Sequence, residues 1–293
     1  MAVLRSTLLS RINASSGSFS KGQRAIAAYI TEHCDKAAFM TAAKLGETVG
    51  VSESTVVRFA GQLGLNGYPE LQKLMQDTLR SRLTVVERMA LSRDRMTEGE
   101  VAANVMASDM ADVRRTLEEL SPQVFDAAVD AIVNARKVYI YGAGSCRALA
   151  SFFDHYLKLL LGNVYLIHTT SEAEIFEELL YVGEEDAVIG ISFPRYSSKA
   201  VKTLHFASSR HAKVIALTDS SLSPLAEYAN HLLLAHSDLP AVVDSLVAPL
   251  SLLNALTVAI SMRKMDENSG ILSQLEELWD TYQVYEPTQE TPT

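Results

Sequence analysis

Along the first 82 residues apolar positions recur at three- and four-residue steps, the rhythm of helices that each turn one side to a core. In "FSKGQRAIAAYITEHCD", Ile26, Ala27, Tyr29 and Ile30 form such a stripe, and Ser20 stands where an N-cap belongs. "MTAAKLGETVG" follows with Thr41 as cap and Glu47 late in a short helix. Gly50 then supplies a residue that tolerates positive φ, and Ser52 caps the next helix. In that helix Val56, Phe59, Ala60 and Leu63 step along one side. Helix, glycine turn and capped helix make a helix-turn-helix pattern. Gly64, Gly67, Tyr68 and Pro69 end it and open "PELQKLMQDTLRSRL", which closes a module over residues 1–82.

Residues 83–120 read as a helical linker. In "VAANVMASDMADVRRTLEEL", Val105, Met106, Val113, Leu117 and Leu120 fall on or near one side, so the segment either bridges two domains or pairs with its copy. Ser121 and Pro122 are a cap and a first-turn proline opening "QVFDAAVDAIVNA". From residue 137 the rhythm changes. "KVYIYG", "NVYLIH", "DAVIGIS", "KVIALTD" and "HLLLAH" are short, nearly continuous apolar runs, as strands buried on both faces are. Helical patterns separate them, among them "SCRALASFFDHYLKLLL" and "SKAVKTLHFASSR". The pattern predicts an α/β fold with an all-α head: a five-stranded parallel sheet between helices over residues 121–265, then a C-terminal helix and disordered tail over 266–293.

Length agrees with two domains, since 293 residues suit two units of about 100 to 200 each. Charge divides them. Residues 1–82 hold ten Lys/Arg against six Asp/Glu, a net +4, and the formal charge of the whole chain is −9, so the remainder carries −13. A basic head on an acidic body fits a nucleic-acid module joined to something else. Cys34 and Cys146 offer no disulfide framework, and no apolar leader core opens the chain. A cytoplasmic protein is expected. The uncharged run Ser245 to Met262 contains Pro249 and Asn254 and sits at the short limit for a membrane span, so it reads as a helix packed on the sheet.

Chemistry is expected in two places. In the capped second helix the geometry turns Glu53, Ser54, Thr55 and Arg58 outward within the first two turns. Arg58 suits guanine or a phosphate, and Ser52, Ser54 and Thr55 suit phosphate oxygens or base edges. Glu53 either accepts from cytosine or faces solvent. In the sheet, ligands bind beyond the carboxyl ends of the strands. Those ends carry Gly142, Ala143, Gly144 and Ser145; His168 and Thr169; Ser192 to Ser198; and Thr218 to Ser221. Hydroxyls with free amides at helix starts hold an anion, most simply a phosphate. Both common nucleotide fingerprints are missing: Arg147 stands where G-x-G-x-x-G needs its third glycine, and no P-loop occurs.

An isomerase on such a sheet needs a general base, for which His168, Glu172 and Glu174 are the nearest candidates, although a solvated or structural role is the commoner fate of such turn residues. Cys146 opens a helix, where its pKa is either lowered by the helix start or governed by burial. His231 and His236 are five apart around a strand and point to opposite faces. No catalytic residue, metal or cofactor is expected.

The stretch "TAAKLGETVGVSESTVVRFAGQLGLNGYPELQ" resembles the helix-turn-helix of the RpiR family of bacterial transcription regulators, and "YIYGAGS", "ISFPRYSSKAV" and "VIALTDSSLSPLA" resemble the SIS (sugar isomerase) domain that this family carries behind it. The resemblance implies a regulator of carbohydrate genes that binds a double-stranded DNA operator through Ser52, Glu53, Ser54, Thr55 and Arg58, works as a homodimer or homotetramer, and responds to a phosphorylated sugar or sugar acid. It implies an effector site at Gly142, Gly144, Ser145, Ser192, Arg195 and Ser197. The usual second loop is S-x-S-G-x-T, whereas Pro194 and Arg195 stand here in place of Ser and Gly. Arg195 either adds a charged phosphate contact or points to solvent. The alternative is a sugar-phosphate isomerase whose head binds protein.

Overall fold

A computed structural model describes residues 8–82, 98–237 and 244–286. The linker stretch 83–97 and the tail 287–293 lie outside the described residues.

The head comprises α1 (Leu8–Ser15), α2 (Lys21–Glu32), α3 (Cys34–Ala37), α4 (Ala42–Val49), α5 (Glu53–Gln62) and α6 (Tyr68–Arg82). Each expected cap is in place. Ser20 Oγ accepts from the Gln23 amide while the Gln23 side chain accepts from the Ser20 amide, a reciprocal capping box. Thr41 accepts from the Lys44 amide and Ser52 from the Thr55 amide. Gly50 takes φ +75° in the turn between α4 and α5. The inward stripes meet in one small core, with Ile26, Ile30, Leu45, Val56, Phe59 and Leu71 fully buried. Side chains of that kind contribute about 1.5–3 kcal/mol each when buried. The Arg11 guanidinium donates to the Leu63 carbonyl at 3.0 Å, so one of the head's ten cations ties α1 to the end of α5.

The body begins with α7 (Val101–Glu119) and α8 (Pro122–Val133). Strands β1 (Val138–Gly142), β2 (Val164–Leu166), β3 (Ala187–Ile191), β4 (Lys213–Thr218) and β5 (His231–Leu234) alternate with α9 (Cys146–Leu160), α10 (Glu172–Glu178) and α11 (Ser198–Ser209). All five strands are parallel, in the order β2-β1-β3-β4-β5, with Val138 level with Val164 on one side and Ala187 on the other. β1 and β3 are buried along their whole length because α8, α9 and the last helix, α12 (Val247–Thr281), cover one face and α10 and α11 the other. At Gly190 a Cβ would fall 2.6 Å from Leu204 Cδ2, so the glycine lets α11 lie directly on β3. Below the amino ends of the strands, fully buried Asp186 takes both prongs of Arg136 at 3.0 and 2.7 Å and the Gly183 amide at 2.9 Å. Those bonds offset the desolvation of a buried carboxylate.

α7 leaves Met106 and Leu117 of its apolar stripe exposed, and the residues it buries are Asp112 and Thr116. Polar groups can face the body there because each finds a partner, Asp112 with Arg115 and Thr116 with the His236 amide at 2.9 Å. α12 buries Ala248, Leu252, Leu253, Leu256 and Ile260, as expected of the uncharged run, but continues without a break through residue 265 to Thr281. Among the described residues no helix is long and apolar enough to cross a membrane.

Candidate functional site

The first candidate surface is the exposed side of α5. Gly46 brings α4 against the turn before it, since a Cβ there would lie 2.8 Å from the Val51 carbonyl oxygen. Ser52, Glu53, Ser54 and Arg58 are exposed and Thr55 is half-buried. The Ser52 hydroxyl is busy, lying 3.0 Å from Ser54 Oγ and 2.8 Å from Thr55 Oγ1 while it caps the helix. Ser52 therefore shapes the turn as much as it faces outward. Arg58 Nε donates to the Ser54 carbonyl at 3.2 Å, which lays the side chain along the helix. Val57, 43% exposed, stands on the same side and was missed by a reading that looked for polar groups. Its one-residue offset from Arg58 was the available signal, and a methyl-bearing side chain there suits the thymine methyl.

The second candidate lies at the carboxyl ends of the strands. β2 lies on one side of β1 and β3 on the other, so the connections from these strands run in opposite directions. The crevice at such a switch point is where open α/β sheets bind ligands. Of the four strand-end clusters, those after β1 and β3 flank this switch point. They adjoin one another through Cys146, whose thiol contacts the Phe193 backbone. Asp244, from the connection after β5, is close enough to influence the same thiol.

After β1 the glycines act on the backbone. A Cβ at Gly142 would meet the Cys146 carbonyl oxygen at 2.4 Å, and Gly144 takes φ +62°. Ser145 is exposed at the start of α9, and its hydroxyl caps no amide of that helix. The Cys146, Arg147 and Ala148 amides are each bonded to the carbonyl three residues back, at 3.2 Å. The expectation of free amides at this helix start is therefore corrected: the tight turn uses them. Burial pushes the Cys146 thiol up, more than its contacts with the Phe193 backbone and the Ser145 hydroxyl lower it. The direction is that of burial, the second of the two readings of this cysteine.

After β3, Ser192 is buried and its hydroxyl accepts from the Ser197 amide at 3.0 Å. Ser197 caps α11, its hydroxyl 3.4 Å from the Ala200 amide. By helix geometry the Ser198 and Lys199 amides of that first turn have no partner within the helix. Arg195 is exposed at the tip of the loop. Tyr196 reaches across to donate to Asp219 Oδ1 at 2.8 Å, joining this loop to the one after β4. The hydroxyls after β4 are spent locally: Thr218 donates to Ser223 at 2.9 Å, and Ser220 and Ser223 accept from the Leu222 and Leu225 amides.

The carboxylates considered as bases are engaged. Lys202 holds Glu172 below the usual range at 2.8 Å, and Glu174 accepts from Thr169. Burial instead raises the Glu178 carboxyl, at the far end of α10. His168 is exposed. Among the described residues no group of three or more His, Cys, Asp or Glu side chains stands where it would hold a metal ion.

Residues 6–82 match the helix-turn-helix domain of the rpiR family, and residues 131–259 match the SIS domain. The HTH-type transcriptional regulator HexR of Pseudomonas aeruginosa is 26% identical over 265 residues, which cover 88% of this chain and 90% of that one. The sugar isomerase domain of an RpiR transcription factor from Sphaerobacter thermophilus is 29% identical, with a TM-score of 0.58 over 61% of this chain and 99% of its own. The NanR protein of Vibrio vulnificus, solved in complex with ManNAc-6P, shares the fold at 18% identity, with a TM-score of 0.57 over 94% of this chain and 99% of its own.

Proposed function

The chain belongs to the RpiR-type transcriptional regulators with a SIS domain, and from that premise we propose that it binds its operator through α5 and is switched by a phosphorylated sugar or sugar acid held between the loops after β1 and β3. The observation that supports the effector reading is the switch point itself, flanked by the loop after β1 with Ser145 and the loop after β3 that opens α11. A helix N-terminus and a neutral hydroxyl hold a phosphate without a cation. That suits an acidic body. NanR, which shares the fold, was solved with a sugar phosphate, in keeping with this class of effector.

Regulation is favoured over isomerisation by the state of the carboxylates. A base for proton abstraction at neutral pH wants a raised pKa, and Glu172, at the start of α10, is held in the opposite direction by Lys202. The protein acts where its DNA is, in the cytoplasm, and the ligand enters as an effector.

Two substitutions separate the sites. Arg58→Ala weakens binding to the preferred duplex about tenfold or more, the worth of one good base or phosphate contact, and leaves the melting temperature and effector affinity in place. Ser145→Ala leaves effector-free DNA binding intact and reduces the response to sugar phosphate. Duplex titrations by fluorescence anisotropy, with and without effector, read both. Loss of both functions in either variant contradicts the assignment.

A further inference from the structure

The hydroxyl cluster after β4 takes no part in the effector site proposed above; it builds a turn. Thr218 donates to Ser223 Oγ at 2.9 Å, the Ser223 amide donates to the Ser220 carbonyl at 3.0 Å, and the Leu222 amide lies 3.2 Å from Ser220 Oγ. Short hydroxyl side chains that bond to nearby amides fix turns of this kind. Thr218, Ser220 and Ser223 are buried, and Leu225 behind them is fully buried against the sheet, so both ends of the turn are pinned. What the turn presents is Leu222, a half-buried side chain that belongs to neither apolar layer of the sheet. Leu222 packs instead against the core of the head, the cluster that holds Ile26, Leu45, Val56 and Phe59. Among the described residues it is the only apolar side chain of the body that does so.

The same turn is tied to the loop after β3. Asp219, at its start, accepts from Tyr196 Oη at 2.8 Å and lies 3.3 Å from Thr218 Oγ1. A phenol bonded to a carboxylate is a charge-assisted contact, the stronger kind of hydrogen bond. Tyr196 stands between Arg195 and Ser197, in the loop closed by the bond from the Ser197 amide to Ser192 Oγ at 3.0 Å. An unbroken set of bonds and contacts therefore runs from that loop through Tyr196 and Asp219 to the turn, and from Leu222 to the head.

We propose that Leu222 is a coupling contact between the effector site and the DNA-binding head, positioned by the Tyr196–Asp219 bond; this rests on the effector reading above and adds the route by which the loop after β3 acts on the head. When a phosphorylated sugar draws that loop onto its phosphate, Tyr196 carries Asp219 and the turn with it, and Leu222 shifts on the head. The contact is separate from the chain connection through α7, and each contributes to the coupling. Coupling between two sites is reciprocal, so it is read twice on the full chain, with a panel of phosphorylated hexoses, amino sugars and sugar acids. Fluorescence anisotropy gives the change in duplex affinity caused by the sugar phosphate, and isothermal titration the change in sugar-phosphate affinity caused by the duplex. Leu222→Ala shrinks both by the same factor, about threefold or more, while far-ultraviolet circular dichroism and sugar-phosphate affinity without DNA stay those of the wild type. Tyr196→Phe, which keeps the ring and removes the bond to Asp219, shrinks them as well. Hydrogen exchange locates the break: the sugar phosphate protects the loops after β1 and β3 in all three proteins and alters the head amides most in the wild type. Protected loops with undiminished coupling in Leu222→Ala overturn the contact alone. Loss in Leu222→Ala with Tyr196→Phe unchanged overturns the route through Asp219. Loops that no member of the panel protects, even in the wild type, overturn the effector reading and the coupling contact with it.

Discussion

Gly46 and Gly61 show how much a single position depends on what stands opposite it. Both lie in helices of the head, yet a Cβ at Gly46 meets the Val51 carbonyl at 2.8 Å and one at Gly61 meets nothing within 4 Å. Gly46→Ala therefore lowers head stability by about 1–3 kcal/mol through overpacking. Gly61→Ala raises it by about 0.5–1 kcal/mol, the usual gain when glycine leaves a helix interior. Urea unfolding of the full chain, followed at the head's transition, distinguishes the two, and equal effects contradict the close contact at the turn. Ser197 is both a cap and an effector candidate, which makes alanine ambiguous there. Ser197→Asp keeps a capping acceptor at α11 but sets a negative charge where the phosphate is proposed to lie. Melting stays within a degree or two while effector affinity falls by an order of magnitude or more, a split that isothermal titration beside thermal unfolding resolves. The types of these residues were legible in the sequence. Their partners were not: nothing in "SFPRYSS" says that Ser192 faces inward to hold the Ser197 amide, because that bond depends on how the loop folds back.

At the scale of elements the strands were the most legible part. β1 and β3 are covered on both faces, so their sequences are apolar throughout, and the glycine and hydroxyl clusters mark where each ends. α7 and α12 were legible as helices and illegible as packing. The side of α7 facing the body is polar, and its fit rests on Thr116 accepting from the His236 amide and Asp109 accepting from the Ser245 hydroxyl at 2.6 Å. Hydrophobic periodicity carries no trace of such pairs. The sequence reading divided the region at residue 265 and expected a further helix beyond it, whereas one helix runs from Val247 to Thr281, since a helix passes through polar residues as readily as through apolar ones. The bonds from α7 have a consequence for switching. They tie His236 and Ser245, on the chain after β5, to the helix that leads back toward the head. Thr116→Val leaves the buried His236 amide without its acceptor, at a cost of about 1–3 kcal/mol. It shrinks the effector-dependent change in DNA affinity severalfold, with effector affinity itself little altered. An undiminished change in the same two titrations contradicts a route through α7.

In the whole molecule the two domains divide the electrostatic work. A head of net +4 approaches phosphate while a body of net −13 is repelled by it, and the body's own anion is proposed to be held by hydroxyl and amide dipoles. On the proposed reading, two heads in a two-fold pair would read half-sites about 34 to 36 Å apart, one helical turn of DNA. Operator symmetry and effector response are then parts of one proposed arrangement. The most direct test is selection of bound sequences from a random duplex pool at moderate salt, with and without a panel of phosphorylated sugars and sugar acids. The account predicts an enriched inverted repeat whose recovery changes with one member of the panel. Absence of any enriched sequence under every condition, or an enriched repeat that no phosphorylated sugar or sugar acid alters, contradicts an effector-gated regulator.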